Sequence, residues 1–396
     1  MTRRRNDLGE IFRRHAEAYR ERYGSRTSGE QWRVFDAIAA CRTATLGGHV
    51  DRCDECGHLE ISYNACRNRH CPKCQTMAKA EWLAARTEEL LPVGYFHFVF
   101  TVPSALYPLA LRHRRTLYSI LFRTSSRALL TLAADPNHLG VSAGFLSILH
   151  TWGQDLRFHP HVHCLVPGGG LSADGERWVA SRERFFLPVR VVSRLFRRLF
   201  LEELEQAVEK GDVKPIPTEK QNASDALDGV ITSCRNTEWV VYAKPPFGGP
   251  ETVLDYLGRY THRVAISNDR ILAVGDDTVS FAWRDYKHDN AKRVATIAAV
   301  DFIRRFLTHV LPPRFQRVRY YGLFANRHRR ANLVRCRRAL GRRPEVEEPY
   351  KPLTWRERYE MVTGEAPDLC PVCRKGRMVR ISVVSPDTPE RQRSPP

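Results

Sequence analysis

No apolar run in this chain approaches the roughly 20 residues that a membrane-spanning helix needs. The N-terminal stretch MTRRRNDLGEIFRRHAEAYRERYG is basic but lacks the apolar segment of a secretory signal. These absences predict a cytoplasmic chain with no membrane partner. Acidic residues are also scarce relative to basic ones. Asp and Glu number 44 against 63 Lys and Arg, a formal net charge of +19. Such a deficit favours an anionic partner, and nucleic acid is the natural candidate. Most of the basic residues are arginines, whose planar fork pairs with phosphate and stacks on bases. There is no GxxxxGK[ST] loop to signal an attached helicase motor, and no internal repeat.

What is present divides into three textures across 396 residues. Residues 1–92 read as N-terminal helices and a cysteine-rich, zinc-ribbon-like domain. The helix SGEQWRVFDAIAACR is expected to start at Ser28 with Gln31 completing a capping box. Residues 93–330 mix strands and helices without regular alternation, which predicts an α+β fold with a mainly antiparallel sheet and flanking helices. In GYFHFVFTVP the phenylalanines 96, 98 and 100 alternate with His97, Val99 and Thr101, the pattern of a strand with an aromatic inner face. GFLSILHTW and HVHCLVP read as further strands, the second turning at Gly168 to Gly170. VATIAAVDFIRRFLTHVLP reads as a helix stopped by Pro312 and Pro313. The helix over LPVRVVSRLFRRLFLEELEQAVEKG leaves Arg190, Arg194, Arg197 and Arg198 on its outer face. Residues 331–396 form a basic C-terminal region with a CPVC knuckle and a tail, after about 378, expected to be disordered.

Eleven cysteines in an intracellular chain argue for metal rather than disulfides. Cys53 and Cys56 form one CxxC, Cys71 and Cys74 another, with 14 residues between. Together they supply four thiolates suited to tetrahedral Zn2+, with Gly57 and Pro72 fitting the knuckle turns. A full thiolate shell leaves no open position, so the expected role is structural. Cys41, His49, Cys66 and His70 remain as ligands of a possible second, interleaved site. Cys370 and Cys373 are half a site with no partner pair evident in the sequence. Cys164 reads as a small core residue.

RFHPHVHCLVPGGG carries His159, His161 and His163 at alternate positions. On a strand, residues i and i+2 share a face roughly 6.5 to 7 Å apart. His161 and His163 therefore point the same way and can both chelate a cation through neutral imidazole. The pattern fits a divalent metal held against a phosphodiester. It equally fits a histidine-triad hydrolase, in which a histidine attacks a nucleotide. Downstream, DYLGRYTHR places Tyr256 and Tyr260 four residues apart on one face of a predicted helix. A tyrosine oxygen can attack phosphorus and form a covalent link. Arg259 and Arg263 lie close enough in sequence to contact flanking phosphates. Gln154 is the first candidate for a third metal ligand, with Asp155, His150 and Asp255 as alternatives.

The segments CRTATLGGH, CRNRHCPKCQ, FHFVFTVP, LHTWGQDLRFHPHVHCLVPGGG, YLGRYTHRVAIS and RYYGLFANRHR, in this order, resemble the rolling-circle transposases of the insertion-sequence-91 type. Those belong to the two-tyrosine His-hydrophobe-His endonuclease superfamily. The resemblance implies a zinc-binding N-terminal domain and a catalytic domain on an antiparallel sheet. It carries His161 and His163 over as ligands of catalytic Mg2+ or Mn2+, and Tyr256 and Tyr260 as the nucleophiles. The implied reaction cuts single-stranded DNA at element ends through 5′-phosphotyrosine intermediates, in the cytoplasm at the nucleoid, with host replication machinery as a partner. A plasmid replication initiator or relaxase would share this chemistry. A histidine-triad hydrolase would need no tyrosine, and a non-catalytic zinc DNA-binding protein would need neither pair.

Overall fold

Ser28 starts its helix as the sequence requires. In the computed structural model the Gln31 N–H donates to Ser28 Oγ at 3.3 Å, and the Ser28 N–H donates to Gln31 Oε1 at 2.9 Å. This capping box satisfies two donors that a helix start would leave bare. The structure describes residues 6–387 except 88, 218–222, 248–252, 254–257, 259–264, 286–287 and 343–351.

In chain order, α1 (Leu8–Arg14), α2 (Ala16–Tyr23) and α3 (Gly29–Ala40) form the N-terminal helices. The hairpin β1 (Gly48–Cys53) and β2 (Leu59–Tyr63) leads to α4 (Pro72–Thr87) and β3 (Tyr95–Thr101). Helices α5 (Tyr107–Arg112) and α6 (Arg114–Ala134) precede β4 (Gly144–Trp152) and β5 (Phe158–Pro167). A short ribbon, β6 (Gly169–Leu171) and β7 (Trp178–Ala180), is followed by α7 (Val189–Glu209), α8 (Ala223–Asn236) and β8 (Val241–Phe247). Next come β9 (Ile271–Val274), β10 (Thr278–Asp285), β11 (Ala291–Ala298), α9 (Ala299–Thr308) and β12 (Val318–Gly322). The last elements are α10 (Arg329–Ala339), α11 (Trp355–Thr363) and β13 (Met378–Val384).

The central sheet has the order β12-β4-β5-β3-β8, with every neighbouring pair antiparallel. This is the expected α+β architecture. One face is apolar: Phe96, Phe98 and Phe100 join Val162, Cys164, Val166 and Phe145 in a core closed by α6 and α7. Cys164 is fully buried there, as a small core residue. The exposed arginines of α7, Arg190, Arg194 and Arg198, therefore belong to the layer behind the aromatic face. The opposite face carries the histidines. It is covered by Trp82 and Leu83 of α4 and by Val253, which is helical and fully buried. A second core joins α1 and α3 to β9, β10 and α9, with Phe12 stacked on Phe35 at 4.9 Å. No helix among the described residues is long and apolar enough to cross a membrane.

Three expectations change. The stretch VATIA is not the start of a helix but the end of β11, where Val294, Thr296 and Ile297 pair with Ala282, Ser280 and Val279 of β10. β-Branched residues fit a pleated ladder better than a helical turn, and the helix begins only at Ala299. The glycines after β5 do not form the expected turn over Gly168 to Gly170: the chain only bends at Gly168. They lead into β6, where Gly169 has φ 150° and a Cβ would lie 2.4 Å from the Val179 carbonyl. Finally, residues 378–384 are not tail: β13 pairs antiparallel with β1, Cys53 opposite Met378. Backbone hydrogen bonds thus tie the 331–396 region to the N-terminal domain.

Candidate functional site

The histidine strand is built as its alternation requires. Register sets His161 of β5 opposite His150 of β4 and Thr101 of β3, and His163 opposite Ile148 and Val99. His150, His161 and His163 are all buried, and their ligand nitrogens lie within 4.8 Å of one another. Each ring is held from behind. The Nδ1–H of His161 donates to the His159 carbonyl at 2.7 Å. His163 Nδ1 lies 2.8 Å from His97 Nε2, with the two rings stacked at 5.0 Å and 8°. With Nδ1 engaged in both, Nε2 is the nitrogen that can carry a cation. His150 stacks on Trp152 at 4.7 Å. His97 is buried too, and burial, then the charges of His161 and Lys244, lower its pKa to about 3. A neutral His97 can accept the His163 Nδ1–H, which is the tautomer a metal-binding His163 needs.

The third converging side chain is His150, an alternative to the Gln154 expected first. Gln154 sits two residues past β4 in the turn to β5, where its carbonyl accepts from Arg270. Asp155, in the same turn, pairs with Arg157 at 3.2 Å. His159 departs from the other two: its Nδ1 lies 2.6 Å from the Tyr107 hydroxyl. His150 and His97 reach the site from neighbouring strands. The sequence signal for His97 was its place opposite the phenylalanines of β3, on the face that the histidines of β5 share. Tyr256, Tyr260, Arg259, Arg263 and Asp255 lie outside the described residues. Near them, Gly258 is helical, and a Cβ on it would come 2.7 Å from Lys79 Cε and 2.9 Å from Leu83 Cδ1 of α4.

The cysteines group differently from the expectation. Cys53 and Cys56 do not share a site with Cys71 and Cys74. Instead Cys41, Cys66, Cys71 and Cys74 converge, with sulfur separations of 3.7 Å (41 to 74), 3.6 Å (66 to 74) and 3.6 Å (41 to 71). A tetrahedron with zinc–sulfur bonds of about 2.3 Å has edges of about 3.8 Å, so these four fit one zinc ion. Cys53 and Cys56 meet Cys370 and Cys373, the partner pair that the CPVC knuckle lacked in the sequence. Neither histidine offered for a second site joins a cluster. His49 Nε2 pairs with Asp51 at 3.2 Å. His70 places Nδ1 3.2 Å from Asn68 Oδ1, while its Nε2 accepts from the Leu311 N–H at 3.3 Å. Both ring nitrogens are committed, and burial, reinforced by Arg69 and Arg317, lowers its pKa to about 3. His70 works with Arg69, which donates to the carbonyls of Phe315 and Pro312, to fasten the zinc knuckle to the segment after α9.

Comparisons with known proteins agree with this layout. A family described as putative transposase matches residues 144–332, which span β4, β5 and β12. A transposase zinc-binding domain matches residues 11–102, which contain all of the Cys41 cluster. A putative transposase, y4qJ, of Sinorhizobium fredii is 50% identical over 385 residues, 97% of this chain and 96% of that protein. The transposase for insertion sequence element IS801 of Pseudomonas savastanoi pv. phaseolicola is 30% identical over 294 residues, 73% of this chain and 69% of that protein. The chain belongs to the insertion-sequence-91-type transposases with an N-terminal transposase zinc-binding domain.

Proposed function

We propose that this transposase nicks single-stranded DNA at the ends of its element through 5′-phosphotyrosine intermediates and moves the element by a rolling-circle route. The observation that carries the reading is the convergence of His150, His161 and His163 on one sheet face. A divalent cation held there would polarise the scissile phosphate and stabilise charge developing on it. An all-imidazole set favours Mn2+ over Mg2+, which prefers oxygen. Tyr256 and Tyr260 are the proposed nucleophiles. They follow the buried, helical Val253 by three and seven residues, the spacing of one helix face, and Val253 packs on the histidine side of the sheet. The tyrosine oxygen forms a bond to phosphorus as the bond to the 3′-oxygen breaks. That oxygen takes a proton and leaves as a 3′-hydroxyl able to prime host replication. The phosphotyrosine keeps the bond energy for rejoining, so no nucleotide hydrolysis is consumed. Arg259 and Arg263 are the proposed contacts to flanking phosphates, and the reaction is placed at the nucleoid.

The test is cleavage of a single-stranded oligonucleotide carrying the element end. With Mn2+ the wild-type chain cuts it. His161→Ala/His163→Ala, and His150→Ala alone, lose cutting by at least about 100-fold while retaining DNA binding. Undiminished cutting by the double variant, or in excess chelator, would refute the metal reading.

A further inference from the structure

We propose that Cys53, Cys56, Cys370 and Cys373 bind a second zinc ion, which clasps the C-terminal segment onto the N-terminal domain. The transposase zinc-binding match ends at residue 102 and the transposase match at 332, so half of this site lies outside both. The four sulfurs lie within 4.8 Å of one another, with 3.7 Å between Cys53 and Cys373 and 3.7 Å between Cys56 and Cys370. These are again near the edges of a zinc–thiolate tetrahedron, about 3.8 Å.

The two halves are built alike. In one, the Cys53 N–H donates to the His58 carbonyl at 2.8 Å, and the Cys56 N–H approaches Cys53 Sγ at 3.5 Å. In the other, the Cys370 N–H donates to the Gly376 carbonyl at 2.9 Å, and the Gly376 N–H donates to Cys373 Sγ at 3.3 Å. Such N–H to sulfur bonds favour the thiolate over the thiol. The halves are stitched together by Asp54 N–H to the Arg377 carbonyl at 3.1 Å and Arg377 N–H to Asp54 Oδ1 at 2.7 Å. A Cβ on Gly376 would sit 2.5 Å from Cys53 Sγ, so this close approach needs glycine.

Burial alone gives the clasp little stability. The sheet β13-β1-β2 leaves Leu59, Ile61, Val379 and Ile381 each more than half exposed. A three-stranded sheet with so little covered apolar face is marginal in water. A metal that binds only the assembled site adds its binding free energy to folding. Four thiolates fill the tetrahedral shell, so the ion has no open position for catalysis.

The experiment measures zinc per chain by elemental mass spectrometry on the full-length protein purified under reducing conditions. Wild type should carry two thiolate-bound ions, counted on a His161→Ala/His163→Ala background so that the imidazole cluster adds none. Cys370→Ser/Cys373→Ser should carry one, and so should Cys53→Ser/Cys56→Ser. The quadruple variant should also carry one, because both pairs hold the same ion. A second measurement needs no substitution. Cys56 is exposed, yet it and Cys373 should resist alkylation until a strong chelator is added. One zinc on that background with all cysteines in place, or an unchanged content after Cys370→Ser/Cys373→Ser, would overturn the proposal. So would loss of both ions from that variant, since the Cys41 cluster shares no residue with it. Equal alkylation of Cys56 and Cys373 with and without chelator would overturn it independently.

Discussion

His97 shows how much of the site rests on a residue that would touch neither DNA nor metal. Its Nε2, 2.8 Å from His163 Nδ1, holds the ring whose other nitrogen faces His150 and His161. Ligand histidines without such support lose orientation and basicity, and metal affinity falls about 10–100-fold. His97→Phe keeps a ring in the buried slot but removes the acceptor, and should lower Mn2+ affinity by about that range in calorimetric titration. His97→Gln restores an acceptor oxygen and should recover most of the loss. Equal affinities in both variants and wild type would show that the contact has no positioning role. At this scale the sequence was half legible. Alternation marked His161 and His163, because a strand repeats every second residue. His150 stood only as one of several alternatives for the third ligand and His97 was not linked to them, because cross-strand neighbours follow from register, which a single sequence does not display.

At the scale of elements, α4 joins the zinc knuckle to the histidine face. It starts one residue after Cys71, includes Cys74, and lays Trp82 and Leu83 over Leu146, Ile148 and Leu165. Gly258 meets α4 so closely that larger side chains do not fit, which explains a glycine in a helical pattern that otherwise disfavours it. Gly258→Ala should cost less than about 1 kcal/mol, since the far ends of Lys79 and Leu83 can shift and the helix gains an alanine. Gly258→Val should cost about 1–3 kcal/mol by overpacking. It should also cut DNA nicking while leaving zinc content unchanged, as read by chemical denaturation, oligonucleotide cleavage and metal analysis on the same preparation. A fully active Gly258→Val chain would contradict close packing at that crossing. Helix and strand identities were mostly readable from periodicity. One exception, VATIA, is a strand running directly into a helix. Its apolar residues satisfy both periods, and pairing with β10 decides between them.

The whole molecule is organised by contacts between distant parts of the chain. Cys53 meets Cys373 across 320 positions and Cys56 meets Cys370 across 314. Local spacing identified every CxxC as a knuckle, since two thiolates three residues apart fit one tight turn. It could not say which knuckles converge, because that depends on β13 crossing back to β1. The first zinc cluster, in turn, lies in the core that also contains Trp152, the residue stacked on His150. The Cys41 cluster and the histidine site are thus joined through one packed core. The proposed function requires this scaffold to deliver a tyrosine to DNA. Incubated with Mn2+ and the single-stranded element end, the protein should become covalently attached to the 5′-phosphate end created by the cut. Peptide mass spectrometry should place the phosphodiester bond on Tyr256 or Tyr260, and Tyr256→Phe/Tyr260→Phe should abolish the adduct while DNA binding persists. An adduct that survives the double substitution, or cleavage with no adduct at all, would contradict the account.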